Sequence, residues 1–326
     1  MQEPSSPAAT LAADPTVELA RDVAEGLARR PKQVPAKYLY DALGSRLFEA
    51  ICELPWYTIT RGECALLSAH AEAIMRGPGA CDTVVELGCG SGAKLSMLLS
   101  AVEGRPTDVH LVDISETALA QSVQALSRHR GALLTTHQAA YEAGLGAALQ
   151  RAGGAGRALV LFLGSNIGNL SSEEADRFLS EIRSRCRPGD RLLLGADLVK
   201  PEAALVAAYD DPLGVTAAFN RNLLVRLNRE LDADFDLDLF EHRVLWNAGA
   251  SRIEVHLESL ADQLVCVRGA GCCVDVAEGE RIWTESVYKY EPEGIVALGA
   301  RAGFARRAQW IEPESRFALT LFEREP

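Results

Sequence analysis

The chain has no uncharged apolar run of the roughly 18 to 20 residues that a bilayer crossing needs. Its 8 cysteines and 6 histidines form no C-x-x-C pair and no Cys/His ligand spacing, and it has no internal repeat. Those absences exclude a membrane span and a solenoid and suggest neither a metal site nor a disulfide framework. A basic surplus is also missing: 33 Lys and Arg against 45 Asp and Glu leave a formal charge of -12. Attraction to nucleic acid or an anionic membrane is therefore not expected, whereas a small-molecule ligand fits. The first stretch, "MQEPSSPAATLAADPT", lacks the basic and apolar regions of a signal peptide, so residues 1-16 are expected to be a disordered lead. A monomer in a reducing cytoplasm is the corresponding expectation.

With 326 residues and 48% hydrophobic content the chain can bury a full-sized core without cross-links. From residue 63 helical and short apolar segments alternate, the pattern of a parallel sheet with crossover helices. The predicted strands are "TVVELG" (83-88), "VHLVDI" (109-114), "ALLTTHQ" (132-138), "ALVLFLG" (158-164) and "RLLLGADL" (191-198). After 198 the rhythm changes to helices broken at Asp211-Pro212 and then to β-like alternation in "SRIEVHLES", "QLVCVRG", "RIWTESVYKY", "FARRAQWIE" and "RFALTLFE". These segments predict a sheet closed by antiparallel strands. Residues 199 to about 250 and the segment before 63 read as additions to an α/β core.

"VVELGCGSGAKL" places Gly88, Gly90 and Gly92 between a strand and a helix, where backbone approaches a ligand closely and helix N-H groups face it. The same letters satisfy G-x-G-x-x-A through Ala93, which keeps a dinucleotide open. Glu86, just before the first glycine, would repel a pyrophosphate but suits a ligand with ammonium and sulfonium groups such as S-adenosylmethionine. Asp113 ends the next strand, where a carboxylate reaches ribose hydroxyls in either cofactor; helix capping is its plainer alternative. In "ALVLFLGSNIGNL" the most apolar strand runs directly into two glycines and two asparagines. Asn166 reads as turn chemistry, and Asn169 by itself as a cap or turn residue.

Four stretches, in this order, resemble one family: "PAKYLYDALGSRLFEAICELPWYTITRGE" (35-63), "FLGSNIGNL", "YDDPLGVTAAFNRNLLVRLNRELDADFD" and "RIWTESVYKY". It is the family of S-adenosylmethionine-dependent L-histidine Nα-methyltransferases of ergothioneine biosynthesis, and the resemblance runs from about residue 31 to the C-terminus. It implies an α/β fold, a Rossmann-like class I methyltransferase core with a second, smaller substrate-binding domain. On that basis 17-62 plus 199-290 form the substrate-binding domain, and 63-198 plus 291-326 the cofactor-binding one. The resemblance puts the substrate carboxylate on Asn169 and Tyr209 and the imidazole on Tyr57 and Glu285. Tyr40 lines the same pocket beside Phe48 and can position the amine or accept its proton. Phe48, Glu86, Gly88, Gly90, Gly92, Lys94, Asp113, Tyr141 and Gly164 are the cofactor candidates, and no metal is implied.

Three departures bear on specificity. The family's aspartate-phenylalanine pair near adenine reads Ala140-Tyr141, so a carboxylate contact is missing although Tyr141 can stack. A methionine beside the imidazole becomes Val255, and a serine after the glutamate becomes Val287; both are substrate-pocket candidates. An N-methyltransferase for tryptophan or a derivative is thus the in-class alternative. An NAD(P)-dependent oxidoreductase and a non-catalytic ligand-binding relative are the alternatives outside it.

Overall fold

The computed structural model describes residues 15-77, 80-151 and 156-326. Residues 1-14 of the expected lead lie outside this set, and Pro15 opens the helix α1 (Pro15–Leu27). Packing divides the chain into two units. Of the described residues, one unit holds those of 15-53, 209-245 and 254-285, and the other those of 54-208, 246-253 and 286-326.

The larger unit is built on a seven-stranded sheet. Numbered along the whole chain, its strands are β2 (Thr83–Leu87), β3 (Thr107–Asp113), β4 (Ala132–Gln138), β5 (Ala158–Phe162), β6 (Arg191–Asp197), β12 (Phe304–Glu312) and β13 (Phe317–Arg324). Their spatial order is β12-β13-β6-β5-β2-β3-β4. The pairs from β4 through β6 are parallel, while β13 joins β6 antiparallel and carries β12 on its outer edge. This is a Rossmann-like α/β core, a parallel sheet with crossover helices and an antiparallel pair of strands at one edge. Strands β2, β5 and β6 are buried at every residue, whereas the edge strand β4 alternates. Central strands of a sheet covered on both faces read as continuous apolar runs, and that is why they were the easiest elements to find.

The crossover helices are α4 (Ala93–Ser100), α5 (Glu116–Leu126), α6 (Tyr141–Arg151), α7 (Ser172–Arg185) and, before β12, α10 (Pro292–Arg301). Helix α7 shows how sequence produces the packing. Ser171 and Glu174 close a capping box at its start, and Ala175, Phe178, Leu179 and Ile182, at helical spacing, enter the core beside Phe162 and Leu192. Helix α3 (Thr58–Arg76) and the short α8 (Glu202–Ala207) belong to this unit too.

The packing division differs from the boundaries read from sequence at 62, 199 and 290. Helix α3 is continuous and carries Glu63, whose side chain binds Gly164 N-H. Val199 N-H donates to the Tyr290 carbonyl, and Lys289 N-H to that of Ser251, so those segments go with the larger unit.

The smaller unit holds α1, α2 (Ala42–Glu53), α9 (Val215–Leu231) and most, but not all, of the residues of a four-stranded sheet of order β1-β11-β8-β7, formed by Lys32–Gln33, Arg281–Tyr288, Arg252–Ser259 and Phe240–Asn247. Thus β8 and β11 do not close the large sheet as expected; only β12 and β13 do. Alternation reveals a half-buried strand but not its partner. Strands β9 (Gln263–Val267) and β10 (Cys272–Val276) make a separate hairpin in which Cys266 and Cys273 are register partners joined by a disulfide. The cysteine spacing gave no hint of this bond, because the pairing of the strands, and no motif, brings the two sulfurs together.

Asp211 starts α9. One of its oxygens accepts from Thr216 N-H at 2.7 Å and the other from Leu213 and Val215 N-H at 3.1 Å. Burial pushes this carboxyl up, but the N-H bonds outweigh burial and hold it below the usual carboxylate range. Asp211→Ala should lower stability by about 1-2 kcal/mol, the usual value of a helix cap. Because the folded value is depressed, the stabilisation is complete above the unfolded value near ~3.9 and is lost as pH falls through the lower folded one. Denaturant melts of both proteins should therefore differ at pH 7, and the difference should shrink as pH falls below ~3.9.

Candidate functional site

In the larger unit the sheet order reverses between β2 and β5, and the carboxyl ends of strands at such a point form a ligand crevice. Gly88 and Gly164 follow these two strands with φ of 77° and 75°. Gly90 and Gly92 have φ of 51° and 73°. Gly92 caps α4 in the left-handed region, and a Cβ there would stand 2.9 Å from Ser122 Cα, so this turn requires glycine twice over. Asp113 accepts from Ser115 N-H at 2.9 Å with one oxygen and lies 3.4 Å from Gly90 N with the other. The side chain thus serves the following turn and leaves a loosely held, half-buried oxygen at the loop.

Glu86 is 2% exposed, and its Oε2 has no hydrogen-bond partner. Burial pushes its carboxyl up to about 8; Lys94 opposes this, and Glu63 and Asp113 add to it. An orphaned buried carboxyl fits a cationic ligand and would oppose a pyrophosphate.

Lys94 Nζ lies 2.5 Å from Glu63 Oε2. Gly164 N-H donates to both oxygens of that carboxylate, at 2.8 and 2.9 Å. Glu63 is fully buried. The sequence motifs assign it no role. The signal was present, however, because Glu63 stands on the apolar stripe of α3 with Ile59, Leu66 and Leu67, where a lone charge needs a partner.

Tyr141 packs edge-on to Phe162 at 5.4 Å and against Phe178 at 6.0 Å. Its hydroxyl reaches 3.1 Å from the place a Gly88 Cβ would take. Burial pushes that hydroxyl up to about 12, so it acts as a neutral group.

The turn after β5 is tied to β6. Ser165 sits at φ 58°, and its Oγ accepts from Asp197 N-H at 2.9 Å. Behind it the buried Asp197 carboxylate receives Lys200 at 2.6 Å and Lys289 at 2.9 Å. Asn169 closes the 3-10 turn Asn166–Asn169 and is exposed. Val287 is 4% exposed, with Cγ1 3.4 Å from the place a Gly168 Cβ would take. Tyr57, also buried, precedes α3 and donates its N-H to Leu54.

The remaining candidates fall in the smaller unit. Tyr40 meets Phe48 at 5.5 Å and Phe219 at 5.4 Å, both edge-on. Tyr209 is held through its carbonyl, which accepts from His242 Nε2-H at 2.8 Å, while His242 Nδ1 accepts from Asn220 Nδ2-H at 3.0 Å. Burial pushes the His242 ring down, consistent with a neutral ring in that tautomer. Val255 and Glu285 lie on the neighbouring strands β8 and β11, where Thr284 Oγ1 donates to the Val255 carbonyl at 3.0 Å. Phe48, a cofactor candidate, thus lies in the smaller unit, and Tyr57 and Val287, substrate candidates, in the larger.

Comparison with known proteins follows the same direction. The family described as "Histidine-specific methyltransferase, SAM-dependent" matches residues 19-324. The chain is 43% identical to the histidine N-alpha-methyltransferase of Mycolicibacterium smegmatis, covering 95% of this chain and 97% of that one. To its counterpart in Mycobacterium tuberculosis it is 42% identical, covering 93% and 94%. Ergothioneine biosynthesis protein 1 of Schizosaccharomyces pombe is 28% identical over 73% of this chain and 32% of its own length.

The state of Glu86 gives a direct test. Without ligand its carboxyl is mostly protonated below pH 8, whereas a ligand ammonium favours the ionised form. Binding of S-adenosylhomocysteine should therefore release a proton, and affinity should rise by up to about tenfold per unit of pH toward the Glu86 value. Glu86→Gln should flatten the slope. Calorimetry in buffers of different ionisation heat checks this, and pH-independent binding by the wild type would contradict it.

Proposed function

The chain belongs to the histidine-specific, S-adenosylmethionine-dependent methyltransferase family, and from that premise we propose that it methylates the α-amine of L-histidine, up to the trimethylated product, in ergothioneine biosynthesis. The observation that carries this reading is the match of the family over residues 19-324, with 43% identity to a histidine N-alpha-methyltransferase across nearly the whole chain. S-adenosylmethionine, when bound, supplies a methyl group already activated as a sulfonium for in-line displacement by that amine.

The protein's task is then placement, the largest contribution available without covalent chemistry. We assign the cofactor to the crevice beyond β2 and β5: Glu86 would meet its cationic groups, Lys94 its carboxylate and Asp113 its ribose hydroxyls, and the glycines let the ligand approach. We assign the substrate carboxylate to Asn169 and Tyr209 and the imidazole to Tyr57 and Glu285. The attacking amine has to be neutral, and burying it beside a cation lowers its pKa. Tyr40, 37% exposed, offers its hydroxyl as a path for the released proton to solvent. The acting form is taken as a single chain in the cytoplasm.

A second substrate reading has a specific basis. Val255 and Val287 are 3% and 4% exposed, so two apolar side chains stand where the family resemblance implies methionine and serine. That change favours a larger aromatic amino acid such as tryptophan, whereas Glu285 favours an N-H-bearing ring.

Steady-state kinetics with histidine test the assignment. Asn169→Ala and Tyr209→Phe should each raise the histidine KM about tenfold or more, the effect of losing a hydrogen bond to a charged group; unchanged kinetics would remove the carboxylate role. Glu285→Ala should weaken histidine by about 1-3 kcal/mol more than an analogue whose ring lacks N-H donors. Equal losses would remove the imidazole role, and a wild-type preference for tryptophan would replace the substrate.

A further inference from the structure

We propose that Asn166 holds the amino-acid end of S-adenosylmethionine through its side-chain carboxamide, an inference that rests on the cofactor reading above. An asparagine in a turn usually spends its side chain on nearby backbone. Here the turn is satisfied without it. Asn166 N-H donates to the Leu163 carbonyl at 3.4 Å, Gly168 N-H to that of Ser165 at 2.8 Å and Leu170 N-H to that of Ile167 at 3.3 Å. Asp197 N-H takes up Ser165 Oγ. The half-buried Asn166 carboxamide enters none of these bonds and has no other partner among the described residues.

Its position is specific. Nδ2 lies 3.3 Å from the place a Gly88 Cβ would occupy, and Oδ1 and Nδ2 lie 3.7 and 3.8 Å from that of Gly164. Lys94 Nζ stands 3.2 Å from the same point over Gly164. The carboxamide therefore spans the two bare, positive-φ glycines that follow β2 and β5, where the strand order reverses, with an ammonium beside it. A group carrying both an acceptor and a cationic donor complements this set: its carboxylate accepts from Nδ2 and Lys94, and its ammonium donates to Oδ1. The unpartnered Oε2 of Glu86 independently calls for a cation at this end of β2. The zwitterionic amino-acid end of the cofactor has that chemistry. Ala140, which offers no carboxylate to the adenine, shifts dependence toward that end of the molecule.

The test compares two ligands that share adenosine and a thioether sulfur. S-adenosylhomocysteine has the amino-acid end and 5′-methylthioadenosine lacks it. In calorimetric titrations of the full chain, Asn166→Ala should weaken S-adenosylhomocysteine about tenfold, the loss of a hydrogen bond to a charged group, and leave 5′-methylthioadenosine within about twofold. Asn166→Asp, of the same shape but without the Nδ2 donor, should also lose S-adenosylhomocysteine selectively and covers failure of the alanine variant to fold. Equal weakening of both ligands, or no weakening of S-adenosylhomocysteine, would overturn the assignment and return Asn166 to the turn. If the wild type bound neither ligand, the cofactor reading itself would fall, and the inference with it.

Discussion

Everything at the carboxyl edge of the large sheet depends on one buried carboxylate. Glu63 accepts Gly164 N-H with both oxygens and pairs with Lys94, so it ties α3 to the turn after β5 and to the first helical turn after the glycine loop. The geometry reaches as far as β6, where a Cβ on Gly195 would collide with Glu63 Oε1. That collision explains a glycine inside an otherwise leucine-rich central strand. A fully buried charge is tolerated only when paired, and removing one partner of such a pair typically costs about 3-5 kcal/mol. The same bond that stabilises the unit therefore fixes the two groups, Lys94 and Gly164, around which the ligand crevice is arranged.

Charge governs the chemistry of that crevice. Glu63 is neutralised by Lys94, while Glu86, equally buried, is left with an unpartnered oxygen and a raised pKa. The difference between these two carboxylates separates structure from ligand recognition: one is satisfied by the chain, and the other is chemically suited to a cationic ligand. A ligand with sulfonium and ammonium groups would favour the ionised form of Glu86, whereas the anionic pyrophosphate of a dinucleotide would oppose it.

The parts of the fold carried by local pattern were legible in the sequence. Strands β2, β5 and β6 announced themselves as continuous apolar runs, and Asp211-Pro212 marked the break before α9. What depended on partners through space was not. β8 and β11 read as strands but not as members of a separate sheet, and Cys266 and Cys273 read as scattered thiols although strand pairing joins them. The glycine loop, Asp113 and Glu86 were readable because their spacing carries a mechanism. Glu63 was readable as a lone charge on an apolar helix stripe but its partner was not, since Gly164 lies 101 positions away; Asn166 was not readable, since its meaning lies in a loop on another strand. Local propensity assigned Asn166 to the turn, and only the satisfied backbone around it releases its side chain for another task.

The most direct measurement is a mass-spectrometric screen of the twenty amino acids incubated with the protein and S-adenosylmethionine. Histidine should be consumed first and accumulate as species heavier by one, two and three methyl groups, with an equivalent of S-adenosylhomocysteine for each transfer. Methylation of tryptophan with histidine untouched, or no transfer to any amino acid, would contradict the histidine reading.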